Sequence, residues 1–127
     1  MTTAIAWIDG RWGTPESLAL PLDDRGLLLA DGLFETVLVR DGQPMLLDEH
    51  LQRWQAGAEL LGLGAPPNRS MLSPLLTEAV GRSPSADADA VLRLNWSRGR
   101  AGRGIDPPAN SKERFWLTLE RFKPLFS

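Results

Sequence analysis

Two segments of this 127-residue chain carry arginines in settings with binding chemistry. His50 and Arg53 stand three residues apart behind Asp48-Glu49, at what reads as the start of a helix. Unpaired backbone N–H groups and the helix dipole favour an anion there. A guanidinium at that point can grip a phosphate or carboxylate with two parallel hydrogen bonds. The competing reading is a surface arginine paired with Glu49, and spacing alone favours it. Further on, Ser97-Arg98-Gly99-Arg100-Ala101-Gly102-Arg103-Gly104 alternates guanidinium groups with glycines. That pattern places bidentate anion donors on an adaptable backbone. It also reads as solvated surface, or as a Gly-Arg segment for RNA, although such segments are long and repetitive. Asp23-Asp24-Arg25-Gly26 and Asp31-Gly32 read as capping and turning residues.

Other chemistries find little footing. The chain has one histidine (His50), no cysteine and no tyrosine, so it offers no disulfide and no supported metal site. It has no glycine-rich phosphate loop followed by lysine, no HExxH and no serine elbow. A net charge of −2 gives no electrostatic case for duplex DNA or a membrane surface, and neither partner is expected. With 43% hydrophobic residues the chain is a folding sequence, long enough for one domain. The N-terminus lacks a basic region ahead of its apolar residues, so no signal peptide is expected.

Elements must aim these groups. Residues 4–12 carry alternating apolar side chains into Asp9-Gly10, a strand entering a tight hairpin. Residues 13–32 show no sustained period and predict a long loop. Residues 33–40 alternate: Phe34, Thr36, Leu38 and Arg40 share one side, Leu33, Glu35, Val37 and Val39 the other. Asp41-Gly42 then turns the chain into a partner strand at 43–47. Asp48 reads as the N-cap of a helix with Leu51, Trp54, Ala58 and Leu61 at helical spacing, stopped by Gly62 or Gly64. His50, Arg53 and Gly57 share its second face. A second helix, capped by Asn68, Ser70 or Ser73, buries Met71, Leu72, Leu75, Leu76, Ala79 and Val80. Residues 90–96 and 112–122 read as closing strands. The order β-ββ-α-α-β-β with antiparallel hairpins predicts an α+β domain.

Taken together, the segments form a known pattern. Asp24-Arg25-Gly26, Asp31-Gly32-Leu33-Phe34-Glu35-Thr36, Asp41-Gly42, His50-Leu51-Gln52-Arg53, Ser97-Arg98-Gly99 and Gly102-Arg103-Gly104 occur in an order that resembles the class IV (fold type IV) pyridoxal-phosphate enzymes. That family includes branched-chain and D-amino-acid aminotransferases and 4-amino-4-deoxychorismate lyase. The resemblance runs from about Ile8 to Phe122. It implies a small N-terminal domain over residues 1–122, an antiparallel sheet packed with two helices, with 123–127 beginning an interdomain linker.

The resemblance also implies roles. Pyridoxal 5'-phosphate would lie between this domain and a larger one, with Arg53 on its phosphate. Phe34, Arg103 and Arg98 would bind substrate, Arg103 reaching its carboxylate, often across a dimer interface. Phe34-Glu35-Thr36 and the Ser-Arg-Gly-x-x-Gly-Arg-Gly form are most similar to aminodeoxychorismate lyases. D-amino-acid aminotransferases carry tyrosine where this chain has Phe34, and Ala30 replaces the glycine usual before Asp31-Gly32. The family's Schiff-base lysine opens the second domain, and neither Lys112 nor Lys123 matches its context. The expectation is therefore an N-terminal domain, inactive alone, of a cytoplasmic homodimeric lyase that releases pyruvate and forms p-aminobenzoate for folate synthesis. The alternatives are a class IV amino-acid aminotransferase and a catalytically inactive binding module.

Overall fold

A computed structural model describes residues 4–83, 89–100 and 112–121. Both Asp-Gly dipeptides turn as their chemistry requires. Asp9 and Gly10 (φ 52° and 79°) and Asp41 and Gly42 (φ 51° and 75°) give the paired positive φ angles of type I′ turns. They join β1 (Ala4–Ile8) to β2 (Arg11–Gly13) and β3 (Gly32–Arg40) to β4 (Gln43–Pro44). With β5 (Ala90–Ser97) and β6 (Arg114–Arg121) these strands form one antiparallel sheet in the order β2-β1-β6-β5-β3-β4. Among the described residues three helices accompany it: α1 (Arg25–Leu29), α2 (Leu47–Leu60) and α3 (Arg69–Arg82). The chain is α+β, with one helix more than the sequence suggests.

Register sorts the strand side chains into two faces. Glu35 pairs with Leu94, and Leu94 with Leu117, so these share a face with Val37, Val39, Leu92 and Leu119. That face packs with Trp54 of α2 and Leu72, Leu76 and Ala79 of α3 to make the core. Trp54 is fully buried, edge-on to Trp96 and Phe115 at ring distances of 6.4 and 5.9 Å. Phe34 pairs with Asn95 and Asn95 with Trp116, and these look out from the opposite face. Met71, expected in the core, is 62% exposed, because α3 turns Leu72 and Leu76 to the sheet instead.

The element boundaries have physical reasons. Strand β4 ends at Pro44, not at 47, because proline cannot donate to the ladder and Leu46 (φ 54°) bends the chain away. Leu47 then enters the core as the first residue of α2, so Asp48 lies in the first turn and not at the cap. At the other end Gly62 (φ 71°) closes α2 in a Schellman motif. The Leu63 N–H donates to Ala58 O at 2.9 Å and the Gly62 N–H to Glu59 O at 3.1 Å. Helix α3 starts at the first of its possible caps: Asn68 Oδ1 accepts from the Met71 N–H at 3.0 Å, leaving Pro74 in the second turn.

Helix α1 replaces part of the loop expected over 13–32. It is held by polar burial and not by an apolar stripe, which is why no helical period marks it. Asp24 Oδ1 caps it by accepting from the Gly26 N–H at 2.8 Å, while Leu27, Leu28 and Leu29 remain exposed. Ala30 ends it with φ 52°, the left-handed conformation that glycine adopts without strain. Among the described residues no helix is long and apolar enough to cross a membrane.

Candidate functional site

Strand β3 sends consecutive side chains to two different places. Glu35 points under α2, and Phe34 points to the outer face. Glu35 is 6% exposed, which a carboxylate tolerates only when its oxygens are hydrogen-bonded. Arg53 supplies a side-on fork, Nη2 donating to Oε1 at 2.7 Å and Nε to Oε2 at 3.0 Å. His50 Nδ1 donates to Oε1 at 2.7 Å. His50 and Arg53 do share a helix face, but their partner is Glu35 and not the neighbouring Glu49. Burial pushes the Glu35 carboxyl up, yet the hydrogen bonds from Arg53 and His50 outweigh it and hold the group below the usual carboxylate range. Arg53 is raised in turn by its hydrogen bond to Glu35 and the attached charge. Its side chain is nonetheless 71% exposed, so a guanidinium fixed on one edge presents the rest to solvent.

On the opposite face a cavity of about 350 Å³ is lined by Leu27, Phe34, Arg93, Asn95, Ser97 and Trp116, among others. Phe34 is 52% exposed. The Arg93 guanidinium lies over its ring, 3.8 Å from the centroid, in cation–π contact. Arg93 Nε donates to Asn95 Oδ1 at 3.2 Å, and Asn95 Nδ2 donates to the Trp116 carbonyl at 3.2 Å. The cavity is therefore an apolar wall with one held cation, a combination suited to a flat acid-bearing molecule.

A buried polar brace ties α1 and β5 to this wall. Ser97 Oγ donates to Asp24, its oxygens 2.8 and 3.1 Å away. Asp31 Oδ2 accepts from Arg25 Nε at 2.9 Å and Arg98 Nε at 2.7 Å. Burial raises the Asp31 carboxyl, but hydrogen bonds from Arg98 and Arg25 overcome that and lower it. Arg98 Nη2 also donates to the Leu61 carbonyl at 2.7 Å, at the C-terminus of α2. Close packing here demands glycine: a Cβ on Gly26 would lie 2.7 Å from Ser97 Cβ.

The residues singled out by sequence thus separate. Phe34 faces a cavity, and Arg53 lies exposed on the helix side of the same strand. Arg98 is 3% exposed, its side chain turned to Asp31 and the end of α2. Lys112 is exposed. Arg103 and Lys123 lie outside the described residues. Sequence reasoning did not single out Glu35, which meets Arg53 and His50, or Arg93, which lies over Phe34. The available signal was a charged residue among apolar neighbours: Glu35 alternates with Leu33 and Val37 on a core-facing side, where carboxylates are rare unless paired.

Comparison with known proteins bears on the family and the fold. Residues 32–125 match the family model for amino-transferase class IV. The bifunctional aminodeoxychorismate lyase / D-amino acid transaminase of Mycobacterium tuberculosis is 38% identical over 106 residues, covering 83% of this chain and 36% of that protein. The solved 4-amino-4-deoxychorismate lyase of Pseudomonas aeruginosa is 35% identical, with a TM-score of 0.68 over 88% of this chain and 38% of its own. A hypothetical aminotransferase from M. tuberculosis in its PLP-bound form gives 30% identity and a TM-score of 0.74, over 93% of this chain and 40% of its own. The chain spans well under half the length of these relatives. Fold, motifs and family match converge, and the chain belongs to the class IV aminotransferases, a pyridoxal-phosphate-dependent family of fold type IV.

Proposed function

We propose that this chain forms the cofactor- and substrate-facing small domain of an aminodeoxychorismate lyase, which releases pyruvate and leaves p-aminobenzoate. The observation that carries the reading is the state of Arg53. A phosphate monoester needs a cation that is exposed yet held still, and Arg53 is 71% exposed with Nε and Nη2 engaged by Glu35. Its Nη1 has no partner among the described residues. The residues present therefore fit the phosphate of pyridoxal 5'-phosphate. When bound, the cofactor supplies an electron sink for the substrate carbon that bears the amine. Arg53 binds and orients the phosphate. Phe34 offers its exposed ring to the flat carbocycle of the substrate, and Arg93 places a positive charge beside that ring for a carboxylate. Arg103 is assigned the second carboxylate contact by its motif position. Arg98 serves the site indirectly, by fixing Asp31 and the end of α2.

The names of the M. tuberculosis and P. aeruginosa relatives, and phenylalanine at position 34, support the lyase. The second reading, an amino-acid aminotransferase, is supported by the transaminase half of the M. tuberculosis name. Pyruvate release from aminodeoxychorismate, measured on the full-length protein against amino transfer to 2-oxoglutarate, separates them. Amino transfer without pyruvate release would overturn the lyase reading. Arg53→Ala should weaken pyridoxal-phosphate affinity by about ten- to a hundredfold, the range for hydrogen bonds to a charged group. Unchanged affinity would remove Arg53 from the cofactor site.

A further inference from the structure

We propose that Glu35 is the positioning residue of the anion site: it sets the direction of the Arg53 guanidinium and so the strength with which a phosphate monoester is held. This rests on the reading of Arg53 as the phosphate ligand. A long side chain that is 71% exposed would ordinarily sample many rotamers, and ordering them on ligand arrival subtracts from affinity. Glu35 removes that freedom beforehand. It is itself buried, sitting between Leu33 and Val37 in the middle of β3, across from Leu94, with 6% exposure. His50 Nδ1, 2.7 Å from Oε1, keeps the carboxylate from turning. The side-on grip through Nε and Nη2 leaves Nη1 as the outward donor.

Electrostatics alone makes the opposite forecast. Glu35 carries a negative charge against Arg53, so neutralising it would strengthen anion binding if charge were all that counted. A purely structural role, as a staple of α2 onto β3, would weaken phosphorylated and unphosphorylated ligands alike. The three roles therefore differ in sign or in selectivity.

The test uses the full-length protein and two probes, pyridoxal 5'-phosphate and pyridoxal, whose dissociation constants are compared by equilibrium dialysis. In Glu35→Gln the preference for the phosphorylated probe should fall about tenfold, a part of what a charged hydrogen bond contributes. The same substitution in an Arg53→Ala background should change the preference no further. An unchanged or increased preference in Glu35→Gln overturns the proposal. So does an equal loss of both probes. If Arg53→Ala alone leaves the preference intact, the reading of Arg53 fails instead. Thermal unfolding checks that each variant is folded. Should Glu35→Gln not fold, Glu35→Asp keeps the charge but shortens the reach, and it must lower the preference too; an unchanged preference in that variant is equally fatal.

Discussion

Alanine at position 32 would press directly on the seam between two strands. Gly32 pairs with Ser97 of β5, and an added Cβ would lie 2.7 Å from the Trp96 carbonyl oxygen and 2.9 Å from Ser97 Cα. Normal van der Waals contact begins near 3.4 Å, so β3 and β5 must part by roughly 0.5–0.7 Å. Both obstacles are backbone, and Ser97 is tethered through its hydroxyl to Asp24. Overpacking of this kind costs about 1–3 kcal/mol, offset in part by a gain of roughly 0.5–1 kcal/mol for removing a glycine from a strand. The net expectation is a loss of about 1–2 kcal/mol. Gly57→Ala is the matched control. Its Cβ would come still closer to an atom, 2.6 Å from Leu33 Cδ1, but that atom is the tip of a flexible side chain. Moving Leu33 off its rotamer costs about 0.5–1.5 kcal/mol, and alanine in mid-helix gains about 1 kcal/mol. That substitution should be close to neutral. Urea unfolding followed by tryptophan fluorescence, with buried Trp54 as reporter, reads both. Gly32→Ala proving as stable as Gly57→Ala would refute the distinction between backbone and side-chain obstruction.

Acid should act through the two gripped carboxylates. Glu35 and Asp31 are lowered from ordinary values of 4.5 and 3.8, so their contribution is complete above those values and is lost as pH falls through the folded ones. Glu35→Gln should flatten the fall in urea midpoint below about pH 4.5, and an identical pH slope in parent and variant would contradict this. Ala30→Gly should stabilise the chain by about 0.5–1 kcal/mol, because Ala30 holds φ 52°; a lower melting temperature would argue against strain there. Leu22, Leu27, Leu28, Leu29 and Phe34 are all exposed, a set of apolar side chains on and around α1 that normally marks an interface. This chain should self-associate in sedimentation with rising concentration, and a monomer throughout would count against a dimer surface on this side.

The sequence by itself determined what local chemistry can decide. Asp9-Gly10 and Asp41-Gly42 specify their hairpins, since two consecutive positive φ angles suit few other residue pairs. Alternation along β3 already put Phe34 and Glu35 on opposite sides, and the spacing of Leu51, Trp54 and Ala58 marked the buried side of α2. His50 and Arg53 were legible as an anion-facing pair because three residues along a helix bring side chains together. Which carboxylate they meet was not legible. Glu49 is the nearer in sequence, whereas Glu35 lies 18 residues from Arg53 and becomes its partner only when α2 packs across β3. The same holds for Asp31 with Arg98, 67 residues apart, and Asp24 with Ser97, 73 apart. Those pairs exist because β5 enters the sheet between β3 and β6, and strand order leaves no mark in local propensity. Helix α1 was invisible for the related reason that distant polar partners hold it in place. Only the tertiary structure could decide these contacts, because the energy of a buried charge depends on which groups surround it and not on which residues precede it.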